Sequence, residues 1–194
     1  MKLRMLALGD YQTTCYLVSD SAGNTAVIDP GYEPQTILAR LQAEHLHPCA
    51  ILLTHGHFDH VGAVQDLAAD TGCQVWLCAE DLALPTNLTA GPLCYTNTYA
   101  EGTTLHLAGL DISVLQTPGH TPGSVCLLTE NTLFSGDTLF AGSCGRTDLP
   151  GGSWEQMRSS LKRLSEIEAN LWVLPGHGES TMLESEKKYN PYLH

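Results

Sequence analysis

The chain has 194 residues, 43% of them apolar and 15% charged, a globular composition that excludes an intrinsically disordered protein. Nine Lys and Arg against 21 Asp and Glu leave a net charge of -12, which argues against a nucleic-acid partner and against an anionic membrane surface. No apolar run approaches the roughly 18 residues of a membrane span, and the length suits one domain over residues 1–194.

Residues 1–8, 13–18 and 24–28 read as short strands, with turns at Asp10 and over 19–23. The apolar stretch behind Met1-Lys2-Leu3-Arg4 is too brief for an export signal, so a cytoplasmic location is expected. Residues 34–45 place Ile37, Leu38 and Leu41 at helical spacing, and Pro34 suits a first turn. The apolar run 49–53 reads as a buried strand. A helix is expected over 60–69, with Val61, Val64, Leu67 and Ala68 on one face and Gly72 ending it. Residues 74–78 are strand-like, and Pro85, Gly91 and Pro92 break any long element between 79 and 100. Strands 103–107 and 110–115 form a hairpin around Gly109, and strands 124–128 and 132–135 form another around Glu130-Asn131. Residues 153–168 are the clearest amphipathic helix, with Ser153 as N-cap. A last strand over 171–174 and a short helix over 181–189 close the chain. Two sheets packed together with helices outside would bury this pattern. The tryptophans Trp76, Trp154 and Trp172 fall in these elements and are expected in the core.

The seven cysteines, Cys15, Cys49, Cys73, Cys78, Cys94, Cys126 and Cys144, contain no CxxC pair and lie mostly in apolar runs. They read as small packing groups in a chain without a disulfide framework.

Four metal-ligand types crowd into one stretch, Thr54-His55-Gly56-His57-Phe58-Asp59-His60. Three more follow singly: His120 in Thr117-Pro118-Gly119-His120-Thr121, Asp137 in Phe134-Ser135-Gly136-Asp137-Thr138, and His177 in Pro175-Gly176-His177-Gly178. Each single candidate follows an apolar strand and has glycine close by, which lets the backbone turn sharply near an ion. A lone histidine is more often a surface or core residue, but four such groups buried together without a metal would leave charges and donors unsatisfied. Imidazole and carboxylate together suit zinc, iron or manganese.

This motif, with its three partners in order, resembles the metallo-β-lactamase superfamily over nearly the whole chain. The resemblance implies an α/β (α+β) fold built as a four-layer αββα sandwich, with two divalent metal ions, zinc by expectation, at one edge. It implies that His55, His57 and His120 hold the first ion, that Asp59, His60 and His177 hold the second, and that Asp137 bridges them. Asp59 then serves as ligand and orients the nucleophile. Ile28-Asp29-Pro30-Gly31, Gly142-Ser143-Cys144-Gly145-Arg146-Thr147-Asp148 and the late Asn190-Pro191-Tyr192-Leu193 resemble the short-form branch of the hydroxyacylglutathione hydrolases, the glyoxalase II group. Full-length members continue into a helical region that grips glutathione, whereas this chain ends at His194. The expected reaction is hydrolysis of a small-molecule thioester. The rivals are a lactonase and an oxidoreductase resembling the mononuclear-iron persulfide dioxygenases.

Some residues keep two readings. Arg146 either meets a substrate carboxylate or pairs with Asp148, and the internal pair is favoured. Cys144 is expected to pack rather than to bind metal. Asp29 either supports a ligand histidine or caps a turn. His45, His47, His106 and His194 lie outside the constellation and are expected at the surface.

Overall fold

The computed structural model describes residues 1–194. The first sheet begins as a meander, because β1 (Lys2–Leu8), β2 (Thr13–Ser19) and β3 (Asn24–Ile28) are joined by short turns and pair antiparallel. It then continues in parallel through β4 (His47–Leu52), β5 (Gln74–Cys78) and β6 (Asn97–Tyr99). Helices α1 (Pro34–Ala43), α2 (Phe58–Val61) and α3 (Val64–Thr71) supply the crossovers. The second sheet repeats this plan. The strands β7 (Thr104–Leu107), β8 (Leu110–Gln116), β9 (Val125–Thr129) and β10 (Thr132–Gly136) form the meander. A small ribbon, β11 (Leu139–Phe140) with β12 (Ser143–Cys144), and α4 (Trp154–Ser165) lead to β13 (Trp172–Pro175), which lies parallel to β10. The strand β14 (Thr181–Met182) and helix α5 (Leu183–Tyr189) finish the sheet and its cover.

Alternation along the strands sorts their side chains into three cores. Every residue of β2 is buried, with Leu17 turned towards α1 and α3 and with Tyr16 and Val18 turned towards the other sheet. Ile112, Val114, Leu127 and Phe134 meet them from the second sheet. On the far side, Leu133 and Val173 pack under Met157, Leu161 and Leu164 of α4 and Leu183 of α5. The layers are therefore α, β, β, α, as expected. Tyr16 and Phe134 meet edge to face across the sheets with centroids 5.1 Å apart, and the Tyr16 hydroxyl donates to the Pro175 carbonyl at 2.6 Å. Such a pair adds about 0.5–1.5 kcal/mol beyond its buried area. No helix is long and apolar enough to cross a membrane.

Several expectations need correction. The helix expected over 60–69 is two helices, broken where the Ala63 N–H donates to the Pro30 carbonyl at 3.0 Å instead of continuing a helical ladder. Trp154 and Trp172 are not core residues: they are 47% and 38% exposed, and Trp154 rests edge-on against Tyr192. Cys49 is exposed at a bulge between β3 and β4, where its Sγ lies 3.3 Å from the Thr25 carbonyl. Ser153 caps α4 as expected, its hydroxyl accepting from Gln156 N–H at 3.4 Å. The expected end of that helix, Glu168, lies beyond its last turn.

Candidate metal centre

The carboxyl ends of β3, β4, β8, β10 and β13 meet at one edge of the sandwich, and each is followed by a candidate group or its support. Thr54 leaves β4 locked to Asp29 at the end of β3: the Asp29 carboxylate accepts from Thr54 N–H at 2.7 Å and from its hydroxyl at 2.6 Å. The extended backbone through His57 then turns into α2, which carries Asp59 and His60 in its first turn. Gly136 takes a left-handed φ of 48°, and a Cβ there would stand 2.3 Å from Thr54 Oγ1, so only glycine lets β10 deliver Asp137 this close to β4. Gly176 is equally confined, since a Cβ would lie 2.3 Å from Asp137 Oδ1.

All seven candidates converge. The ligand atoms of His55, His57 and His120 lie within 4.8 Å of one another, as do those of Asp59, His60 and His177. Asp137 joins the two sets: it groups with His55 and His60, and its oxygens lie 3.4 Å from His60 Nε2, 3.5 Å from His120 Nε2 and 3.6 Å from His177 Nε2.

Outer partners fix which ring nitrogens face inward. His120 Nδ1 is 2.7 Å from the Arg146 carbonyl and His177 Nδ1 is 3.1 Å from the Tyr11 carbonyl. A carbonyl only accepts, so both Nδ1 atoms donate and the neutral rings present a bare Nε2. His60 Nδ1 likewise donates to Asp29 at 3.0 Å. The bare Nε2 atoms of His60 and His177 then face each other at 3.3 Å, and opposed lone pairs at that distance need a shared cation, either a proton or a metal. His57 Nδ1 lies 2.9 Å from the bare Nε2 of His120, to which it can donate in its Nδ1–H tautomer. His55 Nε2, His57 Nε2 and Asp137 Oδ1 are buried without any hydrogen-bond partner. Buried polar atoms are normally satisfied, so the donor set fits bound metal: nitrogen and carboxylate oxygen, aimed at a common space.

The electrostatics differ between the sets. Burial, followed by the neighbouring imidazoles, drives His55 well below its ordinary value and brings His57 to about 4. Burial also works against protonation of His60 and His177, but it is outweighed there. Asp137 and Asp29 raise His60, and the Asp59 contact at 3.1 Å raises His177. Burial would raise both carboxylates, yet His177 and His60 hold Asp59 low, and His60, His120 and His177 hold Asp137 lower still.

The centre opens into a cavity of about 590 Å³. Tyr11, Phe58 and Leu88 line one side, and Phe140, Ser143, Cys144, Arg146 and Leu149 the other. A second hollow of about 620 Å³ beside α4 is lined by Pro118 and by polar and charged residues, and touches none of the seven candidates. Arg146 pairs bidentately with Asp148, both contacts at 2.7 Å, as the internal reading expected, while also reaching the cavity. Cys144 packs under the third core, as expected, and also lines the cavity. Asp29 supports His60 and ties the Thr54 turn, so its two readings hold together. His45, His47, His106 and His194 are exposed, as expected.

One residue escaped the sequence reading. Asp81, fully buried in the short 3-10 turn Ala79–Ala83, accepts from Gly56 N–H at 2.7 Å, Thr121 hydroxyl at 2.9 Å and Gly123 N–H at 2.6 Å. It ties the loop of His55 and His57 to the loop of His120. Burial raises its pKa despite the opposing bonds from Gly123, Thr121 and Gly56.

The family profile described as the Metallo-beta-lactamase superfamily matches residues 8–177. The chain belongs to this superfamily. Among curated relatives, it is 33% identical to "Hydroxyacylglutathione hydrolase GloC" of Haemophilus influenzae, covering 100% of this chain and 98% of that protein. Among solved structures, it is similar to BLEG-1 B3 metallo-beta-lactamase, with a TM-score of 0.91, 34% identity and 99% of each chain covered. It is also similar to TTHA1623 in a di-iron-bound form, with a TM-score of 0.86, 40% identity, and 98% of this chain and 100% of that one covered. A metallo-hydrolase with a His/Asp cluster able to bind metal is the reading these relationships carry.

Proposed function

We propose that the protein hydrolyses small thioesters in the manner of a hydroxyacylglutathione hydrolase, using two divalent ions. His55, His57 and His120 would hold one ion and Asp59, His60 and His177 the other, with Asp137 available to both. Zinc is the expected metal, with iron and manganese compatible with the same donors; the di-iron form of TTHA1623 supports a two-metal reading. Bound there, such ions lower the pKa of a shared water to near neutrality and stabilise charge on a carbonyl oxygen.

The observation that carries the substrate class is the cavity wall. Outside the seven candidate ligands its ionisable groups are the Tyr11 phenol, the Cys144 thiol and the Arg146 guanidinium, with no carboxyl, imidazole or ammonium group among them. A substrate whose leaving group departs without protonation suits such a site, and thiolates are good leaving groups, with a pKa near 8.5 for cysteine. The GloC relative supports the same class.

The chain's own residues orient and exclude. Asp59 accepts from the Thr13 hydroxyl at 3.2 Å, which holds one carboxylate oxygen in place, so that Asp59 would orient an attacking water. Tyr11 and Phe58, edge to face at 5.3 Å, form an apolar wall that keeps bulk water from one side of the substrate. The net charge of -12 disfavours nucleic acid and anionic membranes as partners. Seven unpaired cysteines suit a reducing compartment, and a cytoplasmic location belongs to this proposal.

The test is a substrate panel on metal-analysed protein: thiol release from S-lactoylglutathione and other acyl thioesters, lactone opening, β-lactam opening, and oxygen uptake with glutathione persulfide. Thiol release well above the other activities is the expected result. Oxygen uptake with no thioester turnover would replace hydrolysis with oxidation, and dominant lactone or β-lactam opening would change the substrate class.

A further inference from the structure

The motif Asn190-Pro191-Tyr192-Leu193 has no place in the metal centre, yet Asn190 is fully buried. The two N–H groups of its amide face three acceptors, one N–H being shared: the Ser143 carbonyl at 3.0 Å, the Phe140 carbonyl at 3.3 Å and Glu186 Oε2 at 2.8 Å. Glu186 is also buried, and it accepts from Gly142 N–H at 2.8 Å and from the Thr181 hydroxyl at 2.7 Å. Every one of the ribbon contacts falls on the tip of the β11–β12 ribbon, where Phe140 and Ser143 are cross-strand partners. Phe140, Ser143 and Cys144 line the cavity, and the Phe140 ring stands edge-on to His177 with centroids 6.4 Å apart.

We infer that Glu186 and Asn190 are positioning residues that hold this ribbon as the substrate-facing wall of the cavity, and so set substrate affinity without touching the metal ligands. The inference rests on the thioesterase reading for its kinetic consequence but not for its structural one.

A two-residue ribbon needs such help. Short isolated strand pairs are not stable alone, and the turn at Gly142, with φ of 68°, adds no apolar contact of its own. The base of the ribbon is fixed separately. Gly145 N–H donates to the Thr138 carbonyl at 3.3 Å, and a Cβ on Gly145 would lie 1.8 Å from the Asp137 carbonyl oxygen. Loosening the tip therefore frees the wall while leaving Asp137, and the Arg146 carbonyl that holds His120, in place.

The informative variant is Asn190→Ser. The Asn190 side chain also accepts from Tyr192 N–H at 3.0 Å, capping the short turn Pro191–Leu193. Serine can keep that cap, but it is too short to reach the ribbon carbonyls. Asn190→Asp keeps the cap as well, while setting a carboxylate against Glu186 and two carbonyl oxygens. Glu186→Gln is the conservative control. Its amide oxygen can take the bonds from Gly142 and Asn190 while its NH2 donates to the Thr181 hydroxyl oxygen.

Amide hydrogen exchange and steady-state kinetics are measured on metal-loaded protein. For Asn190→Ser we expect faster exchange confined to residues 139–145, KM raised roughly five- to tenfold and kcat within about twofold, the pattern of lost uniform binding. Asn190→Asp should exceed it, Glu186→Gln should stay close to the unmodified protein, and bound metal should not change. Unchanged exchange at the ribbon would overturn the inference, as would faster exchange throughout the chain with kcat lost and KM constant. Should no thioester be turned over by the unmodified protein, the functional reading fails, and the exchange pattern alone decides whether the clamp exists.

Discussion

The two ends of the metal cluster are built from opposite electrostatics. At one end His55, His57 and His120 face each other with only the shared Asp137 beside them, and burial with mutual repulsion keeps protons off His55 and His57. At the other, Asp59, Asp137 and Asp29 surround His60 and His177 and raise their proton affinity against the same burial. Each end has a buried aspartate behind it. Asp29 orients His60, and Asp81 ties the loops that carry the other three histidines. On the proposed two-ion reading, the ions would differ in sensitivity to protons: an ion beside His55 and His57 would displace few, whereas an ion beside His60 and His177 would compete with them.

Removing a ligand is expected to give the largest effect. His55→Ala should cost the first ion far more than the second, and Asp59→Ala or His177→Ala the reverse. Each loss should exceed the roughly 10–100-fold in affinity that removal of an outer partner costs. Metal titration of the three variants checks this, and equal loss of both ions in all three would erase the distinction between the ends.

Next come the supporting aspartates. Asp29→Ala should weaken the second ion by about 10–100-fold. Asp81→Asn turns an amide N–H2 towards one of the N–H donors it now accepts from, and should cost about 2–3 kcal/mol of stability with preferential weakening of the first ion. Denaturant unfolding beside metal titration would show it, and an Asp81→Asn protein as stable as its parent would mean that the clamp is slack.

The metal-free protein should carry the same asymmetry in its stability. His55 and His57 have lowered folded pKa values, so their contribution is present above the usual histidine value near 6.5 and is lost as pH falls towards about 4. His60 and His177 have raised folded values, so theirs is present below that value and is lost as pH rises through the folded pKa. Chelator-treated His57→Gln should therefore lose less stability on acidification than its parent, whereas His177→Gln should lose less on going from neutral to alkaline pH. Urea unfolding across pH would reveal a reversed order.

The smallest effect concerns the whole molecule. A net charge of -12 repels an anionic glutathione moiety weakly, and salt screens it within a Debye length of about 8 Å at physiological strength. Added salt should leave KM unchanged or lower it by less than about twofold, and a marked rise would reveal local attraction through Arg146.

The sequence made most of the centre legible because its ligands sit in short motifs at strand ends, where a strand's register alone fixes position. Asp29 was visible as a candidate but not decidable, since an acid beside Pro30-Gly31 suits a turn as well as a histidine. Asp81 was hidden for a different reason. It lies in a stretch without periodicity, and its partners Gly56 and Gly123 are backbone donors that leave no mark in side-chain chemistry. The β11–β12 ribbon was too short to show alternation, so its dependence on Glu186 and Asn190 emerged only from tertiary contacts. The break at Ala63 was likewise set by the distant Pro30 carbonyl, against a helical pattern that ran straight through. Trp154 and Trp172 show the converse, large apolar rings on half-covered elements whose exposure depends on how far a neighbouring layer extends.

Elemental analysis of the metal-saturated protein across a descending pH series would separate the two ends most directly. Close to two ions per chain are expected at neutral pH, with the ion at His60 and His177 lost at higher pH than the ion at His55 and His57, because His60 and His177 bind protons more tightly. Saturation at a single ion at neutral pH, or loss of both ions in one step, would contradict this expectation.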